Sequence, residues 1–285
     1  MGTLFLVATP IGNLEDISQR AIQTLQQVNL IACEDTRHSR KLLSHYHITT
    51  QVTSYFEHNK YSKIPAILEA LARGDVALIS DAGTPGLNDP GYELINQALD
   101  KGYPVSPIPG ACAPIAALVA SGLPSDAFLF VGYLPRKKSE RQQRLLQLVD
   151  LPYTLILLEV PHRLVACLKD MLDIFGNRRI AIAREMTKIH EEIFRDSLQS
   201  AIDYYSANEP RGEFTLVLEG AIFPKTRWTE NELIDWIKEQ LADGNSASRI
   251  AASAALISGW QRREVYSLIH KYQNNKITET TRDTG

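Results

Sequence analysis

The chain has 285 residues, of which 44% are hydrophobic and 22% charged, and its formal net charge is −3. This composition is typical of a globular protein, and the length allows two domains or one large domain with an appendage. The N-terminal apolar run is too short for a signal peptide, no stretch approaches membrane-spanning length, and the three cysteines are widely spaced. We therefore expect a cytoplasmic protein. The small negative total does not by itself indicate a nucleic-acid partner, because local patches decide such binding.

The first part of the sequence alternates β-rich runs with helical patterns. Strands are predicted at residues 4–8, 30–33, 76–79 and 105–108. Helices are predicted at residues 18–28, 36–44, 60–73 and 111–120. Asp89 and Pro90, an acid cap followed by a first-turn proline, start a further helix. Such alternation predicts parallel strands with crossover helices.

The later part of the sequence predicts a mixed sheet followed by helices. Strands are expected at residues 128–132, 154–160, 179–184 and 214–218, and a helix at 162–175. From Trp228 onward the pattern is helical, and Thr229 with Glu232 fits a capping box. We predict two α/β domains, residues 1–124 and 125–224, and a small C-terminal helical domain, residues 225–285.

Three loops rich in glycine and proline follow predicted strands directly. Their sequences are TPIGN at residues 9–13, DAGTPGLNDPG at 81–91 and PGACA at 109–113. Ligands of α/β sheets bind beyond the carboxyl ends of the strands, where such loops gather, so the three loops together predict a binding site. The sequence contains neither G-x-G-x-x-G nor a P-loop motif, which disfavours a dinucleotide or nucleoside triphosphate.

Five segments in order resemble one family. They are TPIGN, SDAGTPGLNDPG, IPGA, LLEVPHR at residues 157–163 and REMTKIHEE at 184–192. These resemble the bacterial small-subunit rRNA ribose 2′-O-methyltransferases of the tetrapyrrole-methylase-like superfamily, over roughly residues 1–222. The resemblance implies two α/β domains with S-adenosylmethionine in the cleft between them, commonly as a homodimer. It also implies methylation of a cytidine ribose in the decoding region of 16S rRNA.

The resemblance also implies which residues contact the cofactor. By motif position these are Pro10, Asp81, Ala82, Gly83, Leu87, Ala113, Leu158, Glu159 and Ala183. The sequence departs from the superfamily at one point, because Asp81-Ala82-Gly83-Thr84-Pro85 stands where tetrapyrrole methylases usually carry G-G-D-P. Tetrapyrrole binding therefore does not carry over to this chain.

Two acid–base clusters follow predicted strands. Lys188 and Glu185, three residues apart, could activate the ribose hydroxyl or stabilise its oxyanion, with Lys188 either accepting the proton or staying charged. Glu34, Asp35 and Arg37 could instead orient RNA or serve catalysis. Both roles stay open for each cluster at this point. A solvated charged turn is the ordinary alternative for residues 184–188.

Two segments are basic. Residues 135–144 contain five basic residues and one acidic residue, as do residues 246–276. The predicted RNA contacts are Arg136, Lys137, Lys138 and Arg141 in the first segment and Arg249, Arg262 and Arg263 in the second. Solvated helix faces are the usual alternative, but a helical appendage that small-molecule methylases do not need favours contacts with phosphates. Trp260 is expected in the core rather than stacked on a base.

The remaining patterns favour no metal. His45 and His47 lack a third ligand of clear geometry, and His190-Glu191-Glu192-Ile193-Phe194 has phenylalanine where a zinc protease motif needs its second histidine. Two functions compete with the rRNA methyltransferase. One is a small-molecule methyltransferase of the tetrapyrrole type, and the other is a non-catalytic RNA-binding protein of ribosome assembly.

Overall fold

A computed structural model describes the backbone of residues 2–222 and 227–280, and their side chains except at 256 and 273–280. The chain forms two compact units, Met1–Ala221 and Ile222–Gly285. No helix among the described residues is both long and apolar enough to cross a membrane.

A parallel five-stranded sheet opens the first unit, with the strand order β3-β2-β4-β1-β5. Its strands are β1 Leu4–Val7, β2 Leu30–Cys33, β3 Val52–Ser54, β4 Val76–Ile79 and β5 Val105–Ile108. Its helices are α1 Gln19–Gln27, α2 Thr36–His45, α3 Lys60–Arg73, α4 Tyr92–Asp100 and α5 Ala113–Ser121. All four residues of β4 are buried, because the helices cover both faces of a central parallel strand.

The second sheet is mixed, with the order β6-β7-β10-β8-β9. Its strands are β6 Phe128–Tyr133, β7 Thr154–Glu159, β8 Arg179–Arg184, β9 Glu192–Ser197 and β10 Phe214–Leu218. Three helices accompany them: α6 Lys138–Leu146, α7 Leu164–Phe175 and α8 Leu198–Ala207. Only β6 and β7 pair in parallel, and β10 runs antiparallel to both of its neighbours. The expected mixed α/β fold class is thus confirmed.

Helix α5 packs on the second sheet, although it follows the last strand of the first. Ala117 and Leu118 of this helix share an apolar cluster with Ile156, Ala181 and Val217 of the second sheet. Because α5 follows β5 directly, its N-terminus lies between the two sheets. The domain boundary at residue 124 stays a prediction.

The second unit is a set of three helices, α9 Glu230–Ala242, α10 Ala247–Ile257 and α11 Arg262–Thr280. The capping box forms as expected: Thr229 accepts from the Glu232 backbone N–H, and Glu232 accepts from that of Thr229. Leu233 and Ile237 are buried in a core shared by the three helices. The turn between α10 and α11 contains Gly259 with φ +70°, a conformation that favours glycine and is common in helix–turn–helix units.

Candidate functional site

A cleft of about 380 Å³ opens between the loops that follow strands of the first sheet and the strand ends of the second sheet. The first sheet contributes residues that follow β1, β2, β4 and β5. The second contributes the carboxyl ends of β6 and β7 and the amino end of β10. These groups are Ile11, Glu34, Asp81–Thr84, Leu87–Asp89 and Cys112–Pro114 on one side, and Tyr133, Leu158–Val160 and Gly212–Thr215 on the other.

The loop after β4 is shaped by its own contacts. Thr9 and Gly83 exchange two backbone hydrogen bonds, of 2.8 and 3.0 Å, which join the first loop to the second. Gly83 and Gly86 have φ near +80°, a region that favours glycine. A Cβ at residue 83 would lie 3.3 Å from Ile11 Cγ2, within the protein. Gly83 therefore serves the fold of the loop, and a bulky residue there would strain the protein with or without a ligand.

Seven of the nine expected cofactor residues line the cleft: Asp81, Ala82, Gly83, Leu87, Ala113, Leu158 and Glu159. The other two lie elsewhere. Pro10 lines a smaller neighbouring cavity that also reaches Asp81. Ala183 is buried under helix α5. The assignment of all nine to the cofactor stays a prediction.

Glu159 contributes to the cleft with little of its side chain exposed. Its carboxylate is buried, with Oε2 3.2 Å from Arg163 Nη2 and Oε1 accepting from the Val160 N–H. Arg163 in turn donates to the Leu134 carbonyl oxygen at the end of β6. The Glu-Val-Pro-His-Arg segment thus ties the carboxyl ends of β6 and β7 together, which leaves backbone groups of Leu158 and Glu159 as the contacts for a ligand.

The sequence interpretation missed the segment Gly212–Thr215. Phe214 pairs with Glu159, and Thr215 pairs with Leu158, because β10 runs antiparallel to β7. An antiparallel strand presents its amino end where its neighbours present their carboxyl ends. The expectation that ligands meet carboxyl ends therefore overlooked this wall. The glycine at 212, just before a buried strand, was the available signal.

The cleft is acidic. Besides Glu159, whose buried carboxylate is paired with Arg163, four acidic residues line it, Glu34, Asp81, Asp89 and Glu213, and among the described lining residues none is lysine, arginine or histidine. Burial, followed by the charges of Asp89 and Asp81, raises the pKa of Glu34. Burial and the charge of Asp81 also raise the pKa of Asp89. The crowding of like charges makes this a favourable place for a cation.

The expected catalytic pair is a formed ion pair. Lys188 Nζ lies 2.9 Å from Glu185 Oε1 and 3.1 Å from Glu213 Oε2. Glu185 also accepts from the Glu213 backbone N–H, and a Cβ at Gly212 would lie 2.5 Å from Glu185 Cγ. Glu185 and Thr187 both have positive φ, of 50° and 63°, a strained conformation that surrounding contacts must hold. Such strain concentrates at functional sites.

The ion pair stabilises the charged forms of both Lys188 and Glu185. Partial burial alone would lower the pKa of Lys188, but the hydrogen bonds to Glu185 and Glu213 outweigh it and raise the pKa. Burial would raise the pKa of Glu185, yet the hydrogen bonds from Lys188 and from the Glu213 N–H lower it. Lys188 is therefore a charged ammonium at neutral pH. This geometry favours stabilisation of an oxyanion over acceptance of a proton.

Lys188 lines a groove next to the cleft and not the cleft itself. Ile11 lines the cleft, whereas Gly12 and Lys188 line an open groove of about 750 Å³. A Cβ at residue 12 would lie 2.5 Å from Lys188 Cγ, so only glycine allows this approach. Asn13 N–H donates to Thr187 Oγ1 across the same contact. Glu213 lines the cleft and contacts Lys188, and it therefore links the two spaces.

The basic segment at residues 135–144 is only partly available to RNA. Arg141 corrects the prediction: it is 6% exposed, and its guanidinium is paired with the buried Asp170 at 2.5 Å. A buried arginine in an ion pair cannot reach a phosphate. Arg136, Lys137 and Lys138 are exposed, although Lys137 pairs with Glu140.

In the helical unit, the three predicted RNA contacts are exposed. Arg249 lies on α10, and Arg262 and Arg263 begin α11. Trp260 is partly buried, packs against the helical core and donates its indole N–H to the Trp228 carbonyl, as expected of a structural residue. In the described parts of the chain, no three histidine, cysteine, aspartate or glutamate side chains are arranged so that they could hold a metal ion.

Comparison with known proteins gives the family. A model of the family described as Tetrapyrrole (Corrin/Porphyrin) Methylases matches residues 3–202. The ribosomal RNA small subunit methyltransferase I of Synechocystis sp. is 47% identical over 272 residues, covering 94% of this chain and 97% of its own. The protein of that name from Halalkalibacterium halodurans is 44% identical over 275 residues and 95% of each chain. This chain belongs to the ribosomal RNA small subunit methyltransferase I family.

The fold of this methyltransferase I family member has solved counterparts. A uroporphyrin-III C-methyltransferase from Thermus thermophilus, complexed with S-adenosyl homocysteine, superposes with a TM-score of 0.53 at 20% identity. The match covers 76% of this chain and 97% of that one. A likeness at this identity shows the fold alone, and it confirms the tetrapyrrole-methylase architecture expected from the sequence.

Proposed function

We propose that this protein transfers a methyl group from S-adenosylmethionine to the 2′-hydroxyl of a cytidine in the decoding region of small-subunit rRNA. The names of its relatives supply the reaction class and the RNA. The acidic cleft beside a groove that carries Lys188 is the structural observation that supports it. A cytoplasmic homodimer acting on the rRNA or on the assembled small subunit belongs to the same proposal.

The cleft suits this cofactor by charge and shape. S-adenosylmethionine carries a sulfonium and an ammonium group against one carboxylate, so its net charge is positive, and the surrounding carboxylates are complementary to it. The loop Asp81–Leu87, the start of α5 at Ala113 and the backbone of Leu158 and Glu159 would hold it. When bound, the cofactor supplies an electrophilic methyl group on sulfur.

The chain's own residues would prepare the hydroxyl. As the ribose oxygen forms its bond to the methyl carbon and the carbon–sulfur bond breaks, the hydroxyl proton must leave. Lys188, held charged by Glu185, would stabilise the negative charge that develops on the oxygen. Glu213, which lines the cleft 3.1 Å from Lys188, is the carboxylate placed to accept the proton.

The proposal is tested by offering the protein radiolabelled S-adenosylmethionine with three acceptors. These are small ribosomal subunits from a strain that lacks this chain, the naked small-subunit rRNA, and a uroporphyrin-type tetrapyrrole. We expect label in RNA, on a cytidine nucleoside whose ribose is methylated. Label in the tetrapyrrole would favour the small-molecule methyltransferase. The absence of label from all three would favour a non-catalytic RNA-binding protein.

A further inference from the structure

Helix α2 is a basic helix that the account so far leaves without a role. Its ten residues include five basic or histidine side chains and no acidic one. All five side chains are exposed: Arg37, His38, Arg40, Lys41 and His45. Asp35 caps the helix and pairs with Arg37, so only Arg37 has a carboxylate partner among the described residues. The helix starts directly after β2, beside the cleft residue Glu34.

Two cavities run along this helix. The smaller, of about 210 Å³, is lined by His38 and Lys41 of α2, and by Pro10 and Asp81 of the cofactor loops. The larger is the groove of about 750 Å³, which includes His45 from the end of α2 and Lys188 and His190 from the loop after β8. Leu14 lines both cavities, so they are neighbours along one surface.

This surface differs in charge from the cleft beside it. Among the described residues that line the groove, Glu15 is the one acid, against Lys188 and two histidines. The smaller cavity adds Lys41 and His38 against Asp81. The cleft, in contrast, is lined by Glu34, Asp81, Asp89 and Glu213, besides the paired Glu159. Because Lys188 is already paired with Glu185 and Glu213, the positive charge of this surface comes from Arg40 and Lys41 of α2. The surface of α2 therefore favours an anion, and the cleft next to it favours a cation.

We propose that the exposed face of α2 together with the groove binds the phosphodiester backbone of the RNA next to the acceptor nucleotide. This inference rests on the proposed function and names the surface that the RNA would use. Single-stranded RNA is suited to it, because a backbone that tracks basic side chains leaves its bases free to contact apolar groups. Leu14 and Ile189, 38% and 97% exposed, provide such groups at the groove.

The order of the residues along this surface fits the reaction. Asp81 lines both the cleft and the smaller cavity. Lys188 lines the groove, where its side chain packs on Gly12. A strand that follows α2 from Lys41 to His45 would therefore reach Lys188 next. The ribose at that point would lie against the charged ammonium that the proposed chemistry requires.

The test compares two charge reversals in the full-length protein. Lys41→Glu changes the proposed RNA surface, and Lys101→Glu, on an exposed lysine that follows α4, is the matched control. Single-turnover methyl transfer is measured against the concentration of unmethylated small subunits at several KCl concentrations. We expect Lys41→Glu to raise the half-saturating subunit concentration by about tenfold and to lower the salt slope by about 0.7, since one phosphate contact to a single strand is lost.

Three further results distinguish the possible failures. Lys101→Glu should stay within about twofold of the parent, and calorimetric affinity for S-adenosylmethionine should be unchanged in both variants. Equal half-saturation and salt slope for Lys41→Glu and Lys101→Glu would overturn the inference, as would a loss of cofactor affinity in Lys41→Glu alone. Failure of the parent protein to methylate the subunits would instead contradict the proposed function.

Discussion

At the scale of single residues, function depends on how charges are paired. Lys188, Glu185 and Glu213 form one connected group, and Glu185 packs so closely on Gly212 that a Cβ there would lie 2.5 Å from Glu185 Cγ. Arg141 and Asp170 also form a close pair, but both side chains are buried. The sequence places Glu185 and Lys188 three residues apart, whereas Arg141 and Asp170 are 29 residues apart and only the fold brings them together.

Replacing Lys188 with alanine should slow the chemical step. Removing one preorganised group that stabilises an oxyanion typically costs about 10²–10³-fold in rate. We expect a loss of this size in single-turnover methyl transfer with cofactor and RNA saturating. Lys169→Ala, on an exposed lysine of α7, is the matched control and should leave the rate unchanged. A Lys188→Ala rate within about threefold of the parent would assign the catalytic role to another group.

The raised pKa values of Glu34 and Asp89 predict a pH dependence of cofactor binding. The pKa of each carboxyl lies above its ordinary value, which is 4.5 for Glu34 and 3.8 for Asp89. A cationic ligand binds more tightly when both are ionised. At a pH near these raised pKa values, binding should therefore release protons, and affinity should fall as the pH drops through them. Calorimetry in two buffers of different ionisation enthalpy measures the release. The double variant Glu34→Gln/Asp89→Asn should show less of it, and equal release would contradict the assignment.

At the scale of elements, the loop after β4 and the amino end of β10 form the two walls of the cleft. The first could be predicted, because glycines and prolines directly after a buried strand are typical of a loop with a fixed backbone conformation. The second could not, because strand direction depends on pairing partners that are distant in sequence. Edge strand β3 was missed for a related reason: its three residues are only partly buried and carry little hydrophobic pattern.

Filling the cleft tests the loop assignment more cleanly than a change at Gly83. Ala82 is exposed and lines the cleft, so Ala82→Trp should occupy the space of the ligand without disturbing the core. We expect its affinity for S-adenosylmethionine to fall by at least tenfold, with little change in melting temperature. Ala207→Trp, at the exposed end of α8, should bind as the parent does. If both variants bound the cofactor equally well, the cofactor would lie elsewhere.

At the scale of the whole molecule, the surface proposed to bind the cofactor is acidic and the surfaces proposed to bind RNA are basic. The net charge of −3 is the sum of local charges that largely cancel, those of an acidic cleft, a basic surface on α2 and exposed arginines on the helical unit. The family could be predicted from five short motifs in order, because they encode loops whose backbone shape the fold requires. Of the RNA surface proposed on α2, only Arg37 was predicted from the sequence, as one of three residues that could orient RNA. Arg40 and Lys41 were not predicted, because only the fold places them beside the cleft.

The helical unit should contribute to RNA affinity and not to chemistry. Replacing Arg249, Arg262 and Arg263 together by alanine should lower the salt slope of RNA binding by about two, at about 0.7 per phosphate contact for single strands. Saturated methyl-transfer rate and cofactor affinity should not change. The control carries Arg73→Ala, Lys101→Ala and Lys169→Ala, three exposed basic residues in the other unit with the same change in net charge. Equal slopes for the two triple variants would leave the helical unit with another task.

The central claim is that this chain methylates a cytidine ribose of small-subunit rRNA through Lys188. The most direct measurement is mass spectrometry of nucleosides from small-subunit rRNA in a strain lacking the chain, complemented with either the parent or Lys188→Ala. The account predicts a ribose-methylated cytidine that disappears in the deletion, returns with the parent and does not return to full level with Lys188→Ala. An unchanged set of methylated nucleosides in the deletion strain would contradict it.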